Sequence, residues 1–187
     1  MDVDEKLIRA CIRGDRKAQF ELYDKCFSTL MSVCRRYRQT SEDLNDLLNM
    51  GFYKILKGLP KYKGSAPFEA WMRRVMINTI IDEYRKTARG PEIVEMNAVV
   101  ENMAVGDFDA ASAYRFDSEE LEEMLLHLPV KSRQVFNLFA IDGYGHKEVA
   151  EMMCISVGTS KWHLANARNK LQQMMAERQH TTKASGL

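Results

Sequence analysis

The chain has 187 residues, of which 45% are hydrophobic and 28% are charged, and its formal net charge is +1. This composition is typical of a soluble globular protein with one large or two small domains. No run of about 18 apolar residues occurs and the first twenty residues are charged throughout, so we expect no membrane span, no signal peptide and a cytoplasmic location.

The small net charge hides two basic blocks that flank an acidic one. Residues 1–90 carry 18 Lys and Arg against 12 Asp and Glu, a net charge of +6. Residues 91–124 carry 1 against 10 (−9), and residues 125–187 carry 8 against 4 (+4). Basic blocks favour a polyanionic partner. The acidic connector either lies in a positive channel of a partner, where it imitates nucleic acid, or is a soluble spacer.

The first 90 residues are predicted to form consecutive helices. Apolar residues recur at helical spacing over residues 7–12 and 20–27, and a capped helix then begins at Thr40 or Ser41 and ends at Gly58. A loop at residues 60–68, rich in Pro and Gly, precedes a helix over residues 71–86. One face of that helix is apolar and is predicted to lie in a core: Met72, Met76, Ile77, Ile80 and Tyr84.

The other face of this helix and the loop before it carry a tryptophan, an amide and several cations. Unpaired bases are held by aromatic stacking, by polar groups at the base edges and by cations on the phosphates. The pattern therefore predicts a single-strand nucleic-acid site, although each residue alone also fits a structural role. The candidates are Tyr62, Lys63, Ser65, Trp71, Arg73, Arg74 and Asn78. We interpret Asp82 and Arg85 as a structural ion pair.

Helical periodicity fades from about Thr87 to Asp117, which predicts a linker, and resumes with a capped helix at Ser118. Further helices are predicted from Lys131 to Ile141, from His146 to Met153 and from a cap at Ser156 to about Met175, with a turn at Cys154 and Ile155. No stretch alternates as a strand does. We therefore predict an all-α protein with domains at residues 1–90 and 118–178, an acidic linker at residues 91–117 and a disordered tail at residues 179–187.

The last two helices have the spacing of a helix-turn-helix, for which an ordinary helical hairpin is the alternative. A recognition helix presents its early side chains to base edges, so we expect Val157, Thr159, Ser160, Lys161 and His163 to be exposed, with Arg168 in reach of phosphates.

Cysteines and histidines are scattered and form no CxxC or ligand spacing, so we expect buried reduced thiols, no metal and no cofactor. The cysteines are Cys11, Cys26, Cys34 and Cys154, and the histidines are His127, His146, His163 and His180. GxSxG, GxxxxGK[ST], HExxH and GxGxxG are all missing, so we do not expect an enzyme.

Both blocks together resemble the sigma-70 family of bacterial transcription initiation factors, specifically the two-domain extracytoplasmic-function (ECF) group. The family's D-L-x-Q-E-x-F helix matches Asp46, Leu47, Asn49, Met50 and Phe52. Its W-L-x-x-I-x-x-N-x-x-x-D-x-x-R helix matches Trp71, Met72, Val75, Asn78, Asp82 and Arg85. In the second block the L-P, G-[YF]-x-x-x-E-[IV]-A and S-x-G-T-V-K-S-R-L-x-x-A-R-x-x-L motifs match Leu128 and Pro129, Gly143 to Ala150, and Ser156 to Leu171.

The resemblance implies a subunit that binds core RNA polymerase, directs it to promoters and opens the strands. Asp46, Leu47, Asn49, Met50 and Phe52 would contact the clamp helices of the largest subunit, and the second domain would contact the flap of the second-largest subunit. The single-strand candidates would meet the minus-10 element. The minus-35 duplex would meet Ser156, Thr159, Ser160, Lys161, Trp162, His163 and Arg168. The linker would run through the polymerase, and an anti-sigma factor, often membrane-bound, is the expected inhibitor.

Two departures from the family pattern affect these expectations. The usual Gln-Glu is Asn49-Met50, which removes a charge from the expected clamp contact. The usual Ser-Arg is Trp162-His163, which replaces a permanent cation by an imidazole. We therefore expect weaker or altered minus-35 readout and dependence on a recruiting partner. A stand-alone helix-turn-helix regulator and a helical interaction adaptor remain the alternatives.

Overall fold

A computed structural model describes the backbone of residues 3–37, 41–87 and 118–184. Every regular element in these ranges is helical, and the chain divides into two compact units, Met1–Arg89 and Gly90–Leu187. The prediction of an all-α protein with two helical domains is therefore confirmed. In the described part of the chain, no helix is long and apolar enough to cross a membrane.

The first unit contains α1 (Glu5–Ile12), α2 (Arg16–Tyr37), α3 (Ser41–Gly58), a 3-10 turn (Leu59–Lys61) and α4 (Phe68–Thr87). Asp4 caps α1 by accepting a hydrogen bond from the backbone N–H of Leu7 at 2.7 Å. The helices α2, α3 and α4 pack on one another through fully buried side chains, which include Leu22, Leu30, Leu48, Ile55, Met72, Met76 and Ile80. Burying each such side chain contributes about 1.5–3 kcal/mol.

The second unit contains α5 (Ser118–Leu126), α6 (Val130–Phe136), a π-helical turn (Asn137–Ile141), α7 (His146–Met153) and α8 (Val157–Ala184). Helix α6 is central, since every residue from Ser132 to Leu138 is buried. It packs mainly against α8, while α7 packs against α8 and the π-helical turn.

The helix predicted from His146 to Met153 has these bounds in the structure, whereas the one predicted from Lys131 to Ile141 is divided into α6 and the π-helical turn, and the one predicted over residues 71–86 begins at Phe68. Helix α8 continues to Ala184, beyond the predicted end near Met175, and so extends into the tail predicted at residues 179–187. The predicted linker, at residues 91–117, lies outside the described residues.

Candidate nucleic-acid interface

Three aromatic rings meet where the loop after α3 joins the start of α4. The ring of Tyr62 lies 5.4 Å from that of Phe68 and 5.1 Å from that of Trp71, and the rings of Phe68 and Trp71 are 5.5 Å apart. The Tyr62 hydroxyl donates a hydrogen bond to the Ala66 carbonyl at 2.7 Å, which closes the loop on itself. A Cβ atom on Gly58 would lie 3.0 Å from Trp71, so this glycine lets the indole approach the end of α3. The loop is therefore braced by its own side chains.

The polar residues of the loop point to the surface. Lys63 and Ser65 are both exposed, and Gly64 between them has a φ of +71°, a conformation that favours glycine. The small exposed loop thus has a polar and cationic rim beside the half-buried rings of Tyr62 and Trp71, while Phe68 is buried beneath them.

The first turns of α4 separate the predicted contacts into two sets. Trp71, Arg74 and Asn78 follow one another at helical spacing, and the last two are exposed. Arg73 instead forms an ion pair with Glu69, with 3.0 Å between Nη2 and Oε1. Arg74 is therefore the better placed cation for a strand that reaches Asn78.

Asp82 lies further along α4 and joins this helix to α3. Its carboxylate accepts hydrogen bonds from Lys54 of α3, at 3.2 Å, and from Arg85. Partial burial raises the pKa of Asp82, but these hydrogen bonds and the two positive charges outweigh it and hold the pKa below its usual range. The structural role predicted for Asp82 and Arg85 is confirmed.

The outer face of α3 carries part of the predicted polymerase contact. Asp46, Asn49 and Met50 are exposed, whereas Leu47 and Phe52 are buried, with Phe52 edge-on to Tyr23 at 4.9 Å between ring centroids. Leu47 and Phe52 therefore pack inside the unit, and the members of the predicted polymerase contact that reach the surface are Asp46, Asn49 and Met50.

One residue of the α3 face was missed by the sequence interpretation. Tyr53 is 59% exposed and lies seven residues after Asp46, so it completes the i, i+3, i+4, i+7 stripe of Asp46, Asn49 and Met50. The amine of Lys57 lies 5.5 Å from the centroid of its ring. The helical spacing of Tyr53 from Asp46 is enough to predict, from the sequence, that it lies on this face.

The turn between α7 and α8 is closed without a glycine. Cys154 has a φ of +55° and a ψ of +45°, the left-handed conformation that ends many helices, and its N–H bonds back to the last turn of α7. Ser156 then caps α8 by accepting a hydrogen bond from the Thr159 N–H at 2.9 Å. Cys11, Cys26 and Cys34 are buried as predicted, whereas Cys154 is exposed, so that part of the prediction is wrong.

Two predicted duplex contacts on α8 face inward. Ser160 is fully buried and its hydroxyl lies 3.0 Å from Nδ1 of His146, while His163 is 5% exposed and its Nδ1 lies 3.0 Å from the hydroxyl of Ser132. The expectation that Ser160 and His163 are exposed is therefore wrong. Their positions on the helix place them on the face that α6 and α7 cover.

The remaining α8 residues form the outward face. Val157 and Lys161 are exposed, Thr159 and Arg168 are half-buried, and the half-buried Trp162 stands edge-on to His163 with 4.9 Å between ring centroids. This face carries an indole and a valine beside one lysine. It is therefore more apolar than a face made of cationic residues.

Two family models match the chain in the order of its two units. The model of sigma-70 region 2 matches residues 22–90, and the model of sigma-70 region 4 matches residues 118–171. Together they match about two-thirds of the chain, and each falls within one unit apart from a single residue.

Known relatives match nearly the whole chain. The ECF RNA polymerase sigma factor SigM of Mycobacterium tuberculosis (strain ATCC 25618 / H37Rv) is 25% identical over 174 residues, which cover 92% of this chain and 84% of SigM. The ECF RNA polymerase sigma-E factor of Escherichia coli (strain K12) is 26% identical over 188 residues, which cover 92% and 96%.

A solved structure shares the fold. The sigma factor RpoE of Bartonella quintana, solved in complex with the anti-sigma factor NepR, has a TM-score of 0.50 and 16% identity, with 83% of this chain and 95% of that chain covered.

Proposed function

Because this chain belongs to the sigma-70 family, in its ECF group, we propose that its first unit binds core RNA polymerase and the minus-10 strand, and that its second unit binds the minus-35 duplex. The chain is an RNA polymerase sigma factor. This assignment of roles to the two units rests on the order of the two matches. Region 2 matches the first unit and region 4 matches the second.

The polymerase contact is proposed for the outer face of α3. Asp46, Asn49, Met50 and Tyr53 give the clamp helices one carboxylate, one amide and two apolar groups. Since the charged residue usual at the position of Met50 is missing, we expect this contact to depend less on salt than that of a sigma factor with the usual Gln-Glu pair. The flap contact is proposed for the second unit as a whole.

The minus-10 contact is proposed for the braced loop and the start of α4. Tyr62 and Trp71 offer partly exposed rings, Asn78 provides an amide for a base edge, and Lys63, Ser65 and Arg74 provide polar and cationic groups for phosphates. Arg73 has a smaller role in this proposal because Glu69 holds it.

The minus-35 contact is proposed for the outward face of α8. Lys161 and Arg168 supply charge to phosphates or guanine, and Val157 and Trp162 supply apolar surface that fits thymine methyl groups. Ser156 and Thr159 form the cap and stand at the helix start, where backbone N–H groups approach a phosphate.

Further expectations belong to this proposal. The acidic segment at residues 91–117 would run through the polymerase in the manner of a nucleic acid, and the factor would act in the cytoplasm without cofactor or enzymatic chemistry. A protein inhibitor would control it, since the Bartonella quintana relative was solved with an anti-sigma factor. The minus-35 contact would be supported by a recruiting partner.

Run-off transcription with purified core polymerase on a mapped promoter tests the proposal. We expect a transcript of defined length only when both the factor and the polymerase are present. The matched control is a factor that carries Asn49→Ala and Tyr53→Ala, which should elute without polymerase in gel filtration. A factor that binds promoter duplex alone and gives no transcript would contradict the proposal and support a stand-alone regulator, which the region 2 match on the first unit does not favour.

A further inference from the structure

Helix α8 buries one row of side chains, and a second row lies on the opposite side of the helix. The buried row has helical spacing and consists of Ser160, Leu164, Ala167 and Leu171. A row that begins two residues earlier is turned by about 200° around the helix axis, so it points away from the buried row. Its members are Gly158, Trp162, Ala165 and Asn169, all half-buried. Trp162 is the one large side chain of this outer row.

The cations of α8 stand beside the outer row and not in it. Lys161 and Arg168 follow Val157 at i+4 and i+11, so these three residues share one edge of the row. A helix that lies in the major groove presents the middle of its outer side to the base edges, while its flanks approach the phosphates. The position nearest the bases therefore belongs to the indole of Trp162.

A buried imidazole contacts this indole. The ring of Trp162 stands edge-on to that of His163, with 4.9 Å between the centroids and 75° between the planes. His163 is 5% exposed, and its Nδ1 lies 3.0 Å from the hydroxyl of Ser132 on α6. The same hydroxyl accepts a hydrogen bond from the Asn166 side-chain amide at 3.1 Å. The indole thus rests on a side chain that is itself fixed to the core, so it has less freedom to lose on binding.

The chemistry of the major groove limits what such a ring can read. Base edges there present hydrogen-bond donors and acceptors, and the one apolar group among them is the C5-methyl group of thymine. An indole has a single N–H donor and a broad apolar ring, so contact with that methyl group is its main means of telling base pairs apart. Its neighbours in the outer row, Gly158 and Ala165, are too small to hold a base away from it.

We propose that Trp162 is a specificity-determining residue of the minus-35 contact: its indole reads the C5-methyl group of a thymine, and His163, fixed by Ser132, positions the indole. The proposal rests on the proposed function of the second unit, and it adds the side chain that selects the base and the support that aims it. It also gives His163, at a position where the family has an arginine, a role inside the domain.

Deoxyuridine is the probe, since it lacks the C5-methyl group of thymidine and pairs in the same way. In a duplex fragment of a mapped promoter, each thymine of the minus-35 element is replaced singly on either strand, and the affinity of reconstituted holoenzyme is measured by competition. We expect a thymine whose replacement lowers the affinity about fourfold, the effect of exposing one buried methyl group.

Variants assign the methyl contact to a side chain. Trp162→Ala should bind the thymine and deoxyuridine fragments equally at the sensitive position, because the ring that distinguishes them is gone. Val157→Ala, the matched control, removes apolar surface from the same end of α8 and should keep the full difference there. Ser132→Ala should reduce the difference between the two fragments, whereas a general loss of stability lowers both affinities together and leaves their ratio unchanged.

A photocrosslink keeps the test independent of variants that fail to fold. With wild-type holoenzyme and 5-iododeoxyuridine at the sensitive position, irradiation should join the DNA to Trp162, as read by mass spectrometry of the crosslinked peptide.

Three results would overturn the inference: a minus-35 element without a sensitive thymine, a crosslink at another residue, or a Trp162→Ala variant that keeps the difference. Failure of the proposed function looks different, because holoenzyme would then bind fragments with intact and scrambled minus-35 elements equally well.

Discussion

Gly51 on α3 and Met76 on α4 are in such close contact that a Cβ atom on the glycine would overlap the methionine's Sδ and Cε atoms. Met76 is fully buried and its sulfur also lies 3.7 Å from Sγ of Cys34 on α2. Three helices of the first unit therefore converge at this glycine, and one of them carries the proposed polymerase contact while another carries the proposed DNA contact.

We expect Gly51→Ala to destabilise the first unit, although alanine is the better helix former by about 1 kcal/mol. Overpacking a filled core costs about 1–3 kcal/mol, and the atoms that must shift here are the Sδ and Cε of a fully buried methionine. Urea denaturation of the purified protein measures the change. In Gly51→Ala with Met76→Ala the two effects should be less than additive, because the second substitution removes the clash; simple additivity would contradict this packing argument.

Asn49 and Asn78 provide a matched pair of exposed amides on adjacent helices. Asn78→Ala should slow promoter opening about tenfold, the effect of losing a base contact of roughly 1.4 kcal/mol, with no change in polymerase affinity. Asn49→Ala should lower polymerase affinity and leave promoter opening by the bound factor unchanged. Permanganate footprinting measures opening and fluorescence anisotropy measures polymerase affinity. If both variants lose both properties equally, the two contacts cannot be assigned to separate helices.

The ion pairs of Asp82 predict a defined pH dependence of stability. Because the folded pKa of Asp82 is depressed, its stabilisation is present above the unfolded pKa near 3.9 and disappears as the pH falls through the folded pKa. Asp82→Asn should lower the free energy of unfolding at pH 7 by about 0.2–1 kcal/mol, the range for exposed pairs. The difference between variant and wild type should vanish near pH 2, as followed by denaturation of both proteins. A difference that persists there would point to packing and not to charge.

The four cysteines should differ sharply in reactivity. Burial raises the pKa of Cys26 to about 11 and that of Cys34 to about 12, and burial also raises that of Cys11, so little thiolate exists at pH 8. Cys154 is exposed. Brief treatment with iodoacetamide should therefore modify Cys154 alone, as read by mass spectrometry of tryptic peptides. In 8 M urea all four should react, and Cys154→Ser should leave the native protein unmodified; rapid native modification of Cys34 would show that the first unit opens easily.

Amphipathic elements were predictable from the sequence, and residues that depend on tertiary neighbours were not. The core face of α4 and the boundaries of α7 follow from periodicity and capping, which are local. Ser160 and His163 were assigned to the DNA face because polar side chains early in a recognition helix usually point outward. Only the position of α6, with Ser132 in its centre, shows that these two side chains have buried partners.

The same limit applies to the polymerase contact predicted on α3. Leu47 and Phe52 belong to a motif that was expected to contact the polymerase as a whole, yet a helix that lies on a core can present only one side of such a motif. Tyr53 was missed for the complementary reason, since it lies outside the motif but on the exposed side. The family pattern identifies the helix, and the packing of Phe52 against Tyr23 decides which of its residues face outward.

Helix α8 is 28 residues long, which corresponds to about 42 Å at the usual rise of about 1.5 Å per residue. The exposed Gln173 lies about 24 Å along it from Val157, the residue at the DNA-reading end. One continuous helix thus fixes the distance between these two positions. A fluorophore attached at position 173, in a chain with Cys154→Ser, would report the distance from the recognition end to a labelled promoter without touching the surface that reads it.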